Sequence, residues 1–98
     1  MFKGVYVYIL TNRYDAILST GVTSELRNRI WQHKNNYYPD SFTSKYKCYK
    51  LVFYNFFESI EEATAEEKRI KAGKRQNKID LINESNSQWK DLYDLIEE

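Results

Sequence analysis

Residues 5–10 read VYVYIL, a run of β-branched, aromatic and aliphatic side chains. Such residues favour β structure, so the run predicts a first strand with its two tyrosines on one face and its valines and isoleucine on the other. The polar residues 11–15 predict a hairpin loop, after which Ile17 to Val22 return as a second strand. Gly21, near the end of that strand, indicates a bend or a close backbone approach.

The run CYKLVFYNFF at residues 48–57 predicts a third strand. It is apolar on both faces, which is typical of a strand in the middle of a sheet, so we expect it to be the central strand. Between the second and third strands, Thr23 or Ser24 is expected to cap a helix that carries Glu25 in its first turn. The segment from Asn35 to Ser44 is predicted to be a loop.

The remainder of the chain has helical patterns. Ser59 and Glu62 are spaced as a capping box, which predicts a helix that begins after Ser59. The apolar face of this helix is expected to contain Ile60, Ala63 and Ile70.

A break at Gly73 is predicted to separate this helix from another over Lys74 to Asn83. A last short helix is expected to carry Trp89, Leu92, Leu95 and Ile96. The order of two strands, a helix, a strand and further helices predicts an α+β fold, with a small three-stranded mixed or antiparallel sheet flanked by helices. With 98 residues, the chain is expected to form a single domain over residues 1–98.

The content of cysteine and histidine limits the chemistry of the chain. One cysteine, Cys48, cannot form an internal disulfide, and a single histidine cannot complete a zinc cluster. We therefore expect a reducing, cytoplasmic location and, for any metal, a hard cation held by oxygen ligands. The longest apolar run is too short to span a membrane, and no secretory signal is evident, so we expect no membrane partner.

The net charge of +1 conceals an asymmetry. Residues 1–57 carry eight basic and three acidic side chains, whereas residues 58–98 carry seven and eleven. The segment from Lys68 to Lys78 nevertheless holds six basic residues and no acid. Basic stretches combined with nine tyrosines suit a surface that binds phosphates and stacks on bases. The alternative, which composition alone favours, is that most of the aromatic residues fill a small core.

Glu67 falls in the middle of the apolar face of the predicted helix after Ser59. A carboxylate in that position costs free energy unless it is neutral, paired or bound to a metal. Pairing with Lys71, one turn along, is the structural alternative, and from the residues alone it is slightly favoured.

Arg29 and His33 are four residues apart and border the apolar stripe of the first helix. A cleft that combines one acid with one arginine suits phosphate chemistry. The alternative for Arg29 is an ion pair with Glu25, which would contribute only about 0.3–0.5 kcal/mol. A lone histidine is more often a hydrogen-bonded rim residue than a catalyst, and Tyr6 and Tyr8 are more often packing residues than bases.

Taken together in chain order, these residues resemble the GIY-YIG nuclease domain. The resemblance rests on Tyr6-Val7-Tyr8, Ser19-Thr20-Gly21, Arg29, His33 and Glu67, and on an ending, Asn86-Ser87-Gln88-Trp89-Lys90-Asp91-Leu92, similar to that of small stand-alone bacterial members. It extends from about Val5 to Leu92 and implies a metal-dependent phosphodiesterase that acts on DNA. The amino-terminal domain of the excinuclease C subunit is a better-known relative.

The resemblance also implies the role of each matching residue. Tyr8 would orient or deprotonate the attacking water, aided by Tyr6, if nearby positive charge lowered its pKa. Arg29 would bind the non-bridging phosphate oxygens, and His33 would move a proton or hold the phosphate. Glu67 would bind Mg²⁺ or Mn²⁺.

Other matching positions are assigned to substrate binding. Gly21 matches the closing glycine of the second motif, and Asn86 matches the late asparagine. Lys45 and the run that contains Lys71 would bind flanking phosphates.

Ser19 stands where the second motif has a tyrosine, and a serine hydroxyl neither reaches as far nor ionises near neutral pH. Two hypotheses follow. The chain is either a slow or structure-restricted endonuclease, or a catalytically degenerate domain that binds nucleic acid or a protein partner. In both cases we expect a monomer or a weak homodimer.

Overall fold

The computed structural model describes residues 4–96 and contains one three-stranded sheet in this range. Its strands are β1 (Val5–Thr11), β2 (Leu18–Thr23) and β3 (Lys50–Phe57), and both pairings are antiparallel. The predicted α+β class is confirmed. The strand order is β2-β1-β3, so the prediction that the third strand is central was wrong: β1 occupies that place.

The edge strand β3 is buried in its first half, at Leu51 to Phe53, where the C-terminal segment bonds to it. The Leu92 amide donates a 2.8 Å hydrogen bond to the Leu51 carbonyl, and the Leu51 amide donates to the Asp91 carboxylate at 3.3 Å. These bonds satisfy backbone groups that would otherwise be exposed at an open edge. An apolar run can therefore mark a capped edge as well as a central strand.

The helices are α1 (Leu26–Lys34), α2 (Phe42–Lys45), α3 (Ile60–Ala72) and α4 (Arg75–Ser85), followed by a 3₁₀ turn over Tyr93–Leu95. Two apolar clusters cover the two faces of the sheet. Val5, Val7 and Ile9 pack with residues of α3 and α4, whereas Tyr8 and Leu10 pack with residues of α1. The alternating residues of VYVYIL therefore belong to two separate apolar clusters, one on each face of the sheet.

Several helix boundaries differ from the sequence predictions. Glu25 is the N-cap residue of α1 rather than part of its first turn, and its amide donates to the Thr23 hydroxyl. The predicted loop before β3 contains α2, which is too short to have a periodic signal. Ile60, predicted on the apolar face of α3, is exposed. The predicted last helix is a single 3₁₀ turn that includes Leu95 but neither Trp89 nor Leu92. Ser59 caps α3 as predicted, accepting a hydrogen bond from the Glu62 amide.

The register brings the predicted site residues of β1 and β2 together. Tyr8 lies opposite Gly21, and Leu10 lies opposite Ser19. Directly paired residues of antiparallel strands share a face of the sheet, so Tyr8, Gly21 and Ser19 all belong to the face that α1 covers. Within residues 4–96, no helix has the length and apolar character needed to cross a membrane.

Candidate active site

The side chain of Tyr8 lies across Gly21 on the neighbouring strand. A Cβ atom at position 21 would lie 2.5 Å from both the Cζ and the hydroxyl oxygen of Tyr8, far inside van der Waals contact. The sequence predicted a bend or a close backbone approach at Gly21. The structure shows that the phenol of Tyr8 occupies the space that a side chain at position 21 would take. Tyr8 is only 4% exposed, and the glycine lets its hydroxyl cross β2.

Arg29 on α1 acts on the phenol of Tyr8 electrostatically, and its positive charge favours the ionised form. Burial nevertheless raises the pKa of Tyr8 above its ordinary value, and this effect outweighs the opposing influence of Arg29. The condition expected from the sequence, a lowered pKa for Tyr8, is not met, so the phenol is neutral near pH 7.

His33, one turn beyond Arg29, contacts the same hydroxyl. Its Nε2 lies 3.4 Å from the Tyr8 oxygen, and its Nδ1 lies 2.9 Å from the Oγ1 of Thr43 on α2. Burial lowers the pKa of His33, and the positive charge of Arg29 lowers it further. A neutral imidazole at pH 7 is able to accept a proton.

Glu67 approaches this cluster from α3. Its charge raises the pKa of Tyr8, as the smallest of four contributions, so the carboxylate acts on the phenol electrostatically. The Glu67 side chain is 15% exposed and pairs with Lys71 at 3.1 Å, which is the structural alternative considered from the sequence. The Lys71 side chain is 55% exposed, so the lysine of this pair lies at the surface.

The donor atoms here suit a hard cation. Among residues 4–96, no group of three or more histidine, cysteine or acidic side chains is positioned to hold a metal ion. One carboxylate is nonetheless sufficient for Mg²⁺, which usually keeps several waters and takes its other ligands from substrate phosphates. Glu67 is a carboxylate of this kind, since its side chain is 15% exposed and its charge acts on the phenol of Tyr8.

Ser19 and Tyr6 lie on the same face as Tyr8 but differ in their surroundings. Ser19 is half-buried, two residues before Gly21 on β2. Tyr6 packs edge-on against the rings of Tyr54 and Phe56. It also lines an open cavity of about 790 Å³ with Ser24, Glu25, Arg27, Asn28, Trp31 and Tyr93, and none of the other predicted catalytic residues lines that cavity.

Two of the predicted substrate-binding residues have contacts of their own outside this cluster. Lys45 is exposed at the end of α2, where its ammonium lies over the ring of Tyr46. Asn86 is buried and its side chain bonds only to backbone groups: Nδ2 donates to the carbonyls of Val52 and Lys90, and Oδ1 accepts from the Lys90 amide. The cluster formed by Tyr8, Arg29 and His33 therefore does not include these two residues.

Thr43 was missed in the sequence. It is 7% exposed, its hydroxyl contacts His33, and its carbonyl accepts a 2.8 Å hydrogen bond from the Cys48 amide. The only sequence signal is the arrangement Ser41-x-x-Ser44, in which the Ser41 side chain caps α2 by accepting from the Ser44 amide.

Comparison with known proteins gives one family. The model of the GIY-YIG catalytic domain matches residues 4–80. A UPF0213 protein of Clostridium perfringens is 41% identical over 78 residues, which cover 80% of this chain and 82% of the relative. A UPF0213 protein of Staphylococcus saprophyticus is 34% identical over 79 residues, which cover 81% and 94%.

A solved structure is also similar. The solution NMR structure of a UPF0213 protein from Bacillus halodurans superposes with a TM-score of 0.58 at 28% sequence identity, covering 90% of this chain and 92% of the other. The names of these relatives assign no activity.

Proposed function

Because this chain belongs to the GIY-YIG nuclease domain family, we propose that it is a divalent-metal-dependent endonuclease that hydrolyses phosphodiester bonds in DNA. The observation that carries the proposal is the position of the Tyr8 hydroxyl over Gly21, where it contacts His33 and where the charge of Arg29 acts on it. A neutral phenol, a neutral imidazole and a guanidinium at one point are the groups needed to activate water beside a phosphate.

The pKa directions favour a relay over a free phenolate. With ordinary values of about 10 for tyrosine and 6.5 for histidine, complete transfer of the Tyr8 proton to His33 would cost about 5 kcal/mol, and both shifts increase this cost. A free phenolate is avoided if, as the water oxygen bonds to phosphorus and the leaving oxygen departs, the Tyr8 oxygen accepts the water proton while its own proton passes to Nε2 of His33. His33 is then the base, and Tyr8 conducts the proton.

Arg29 would bind the phosphate through its guanidinium nitrogens. A planar guanidinium presents several donors in a fixed geometry, which suits the non-bridging oxygens of a phosphodiester. Because Arg29 acts on the phenol of Tyr8, a phosphate bound to it would lie near the water-activating oxygen, so that the nucleophile is positioned as well as activated.

Glu67 would hold Mg²⁺ or Mn²⁺ with help from waters and phosphate oxygens. The cation would supply Lewis-acid stabilisation of charge at the phosphate and the leaving oxygen. Lys71 pairs with Glu67 at 3.1 Å and would move to a flanking phosphate when the carboxylate takes its cation.

The test is a cleavage assay with supercoiled plasmid, single-stranded, duplex and branched DNA, each with Mg²⁺, Mn²⁺ or chelator. We expect cleavage of at least one substrate that requires the metal and is lost in Glu67→Gln. Glu66→Gln is the matched control, because Glu66 is the neighbouring acid on α3 and pairs with Arg69 instead. Loss of cleavage in both variants, or cleavage in chelator, would contradict the proposal.

A DNA-binding measurement separates the alternative function. The cations of the site and the exposed lysines should neutralise a few phosphates, so log Kd against log salt should have a slope of about 3 to 5 in magnitude. Binding with this slope but no cleavage of any substrate would favour the degenerate DNA-binding domain. No binding at low salt would favour a protein partner.

A further inference from the structure

A chain of side-chain hydrogen bonds runs from the active-site phenol to the cap of α2. The Tyr8 hydroxyl contacts His33 Nε2, His33 Nδ1 contacts the Thr43 hydroxyl at 2.9 Å, and Thr43 contacts the Ser41 hydroxyl at 3.0 Å. Each of these groups can donate or accept, so the direction of the chain must be derived from the groups at its two ends.

The end at Tyr8 favours one direction. Among residues 4–96, His33 Nε2 is the group in hydrogen-bond contact with the Tyr8 hydroxyl, at 3.4 Å. A neutral imidazole N–H is a weaker acid than a phenol, so the phenol is the favoured donor in this contact. The phenolic proton then points to Nε2, which carries no hydrogen of its own.

The remaining protons follow from this assignment. The neutral imidazole has a single N–H, which must then be on Nδ1, and it donates to the Thr43 oxygen. The Thr43 hydroxyl then donates to the Ser41 oxygen, which also accepts from the Ser44 amide at the N-terminus of α2. Each contact in the chain then has one donor and one acceptor.

We propose that Thr43 is a positioning residue, which holds His33 in the Nδ1–H tautomer so that Nε2 is free to receive the proton of Tyr8. Thr43 is suited to this role because it is buried and fixed at both ends, by the cap of α2 and by the bond from the Cys48 amide to its carbonyl. The catalytic consequence rests on the proposed nuclease function, whereas the tautomer of His33 does not.

The groups that face the imidazole are few. Tyr8 faces it from β1 and Arg29 from its own helix, while α2 contributes the uncharged Thr43 hydroxyl. At a pH where His33 is neutral, its tautomer therefore reports the direction of the hydrogen-bond chain.

The first test is the tautomer of His33 in the wild-type protein, measured by long-range ¹H–¹⁵N correlation of the imidazole ring. Because the chain has one histidine, its ring signals need no assignment. At about pH 8, well above the ordinary histidine pKa of about 6.5, we expect the Nδ1–H form to predominate. Predominance of the Nε2–H form would overturn the proposal, since it would mean that Thr43 donates to Nδ1.

The second test removes the hydroxyl. Thr43→Val should shift His33 towards the Nε2–H form, and Thr43→Ser should retain the wild-type tautomer. Thr11→Val is the matched control, because Thr11 is also buried and its hydroxyl donates to the Ile17 carbonyl, away from His33. An unchanged tautomer in folded Thr43→Val would overturn the proposal. If Thr43→Val does not fold, the wild-type and Thr43→Ser spectra decide the question.

Activity provides the third test. Thr43→Val should lower the cleavage rate roughly tenfold, a fraction of the 10²–10⁴ that a positioned acid–base group supplies, and Thr43→Ser should restore it. Equal rates in wild type and Thr43→Val would overturn the catalytic part of the proposal. A wild-type protein that cuts no DNA would contradict the nuclease function, and the tautomer measurement would still decide the role of Thr43.

Discussion

Asn86 and Tyr8 are both buried polar residues, and the partners of their hydrogen bonds differ in kind. The Asn86 side chain bonds to three backbone groups, which join the end of α4, the following loop and β3. The Tyr8 hydroxyl bonds to the side chain of His33 under the charge of Arg29, and His33 extends the chain to Thr43.

This difference separates stability from chemistry. An amide bonded to backbone groups has fixed donors and acceptors, so it can hold a loop but cannot transfer a proton. A chain of hydroxyl and imidazole groups can reverse its direction when a proton enters at one end. We therefore expect substitutions near Tyr8 to change the rate of cleavage, and substitution of Asn86 to change the free energy of unfolding.

The largest effect is expected at Glu67. Glu67→Gln should reduce metal-dependent cleavage by roughly 10³-fold or more, because several kcal/mol of metal-assisted stabilisation are lost. The free energy of unfolding should change by less than about 1 kcal/mol, since the lost partner is the exposed Lys71. Denaturant unfolding and the plasmid assay measure the two quantities. A variant that unfolds would show that Glu67 is structural.

Gly21 tests whether the position of the Tyr8 hydroxyl matters. Gly21→Ala introduces a Cβ that would lie 2.5 Å from the phenol, so the ring must move away from Arg29 or His33. We expect a rate loss of about 10²-fold, which is typical of a misplacement of about 1 Å. Gly73→Ala is the control, since its Cβ would come no closer than 3.3 Å to a neighbouring atom. Equal activity in the two variants would mean that Tyr8 is not at the reaction centre.

Asn86 tests the other half of the comparison. Asn86→Ala leaves two carbonyls and one amide without their partner, so unfolding should become easier by about 2–4 kcal/mol. The melting temperature should fall by roughly 10 °C or more. The rate per folded molecule and KM should not change. A raised KM at a temperature where the variant is folded would support the substrate-binding role that the family resemblance implies.

The pH dependence of cleavage tests the assignment of His33 as the base. Burial and Arg29 lower the pKa of His33, so the acid limb of the rate should have its midpoint below about pH 6.5 and fall about tenfold per unit beneath it. The neutral form also stabilises the fold: this contribution is complete above the unfolded pKa and is lost as the pH falls through the folded value. The midpoint should agree with the His33 pKa measured by NMR. A midpoint above 6.5 would contradict the assignment.

Part of this arrangement could be predicted from the sequence because it depends on local patterns. Alternation in VYVYIL predicted β1 and its two faces, and the cap at Ser59 predicted the start of α3. The apolar surroundings of Glu67 were also predicted, since Ala63 and Ile70 are buried on the same helix.

The rest depends on contacts between distant segments. The C-terminal segment covers part of β3, which gives this edge strand the apolar pattern of a central strand. The contact between the Tyr8 phenol and Gly21 depends on the register of β1 and β2, which the sequence does not show. Thr43 lies ten residues beyond His33 in a segment without periodicity, so no pattern could connect them.

The smallest effect is expected at Ser19, where the family has a tyrosine. Ser19 shares a sheet face with Gly21 and Tyr8, so a phenol at position 19 would enter the same side of the sheet as the active-site cluster. If the serine is the main defect of an otherwise complete site, Ser19→Tyr should raise the rate of plasmid nicking by at least roughly tenfold. Thr20→Tyr is the control, because position 20 lies opposite Ile9 on the other face and should give no increase. A wild-type rate that is already high and unchanged in Ser19→Tyr would mean that the relay from Tyr8 to His33 is sufficient. An unchanged low rate would place the defect elsewhere in the site. Tyr8 would then serve binding rather than catalysis, whereas Asn86 would still serve the stability of the fold.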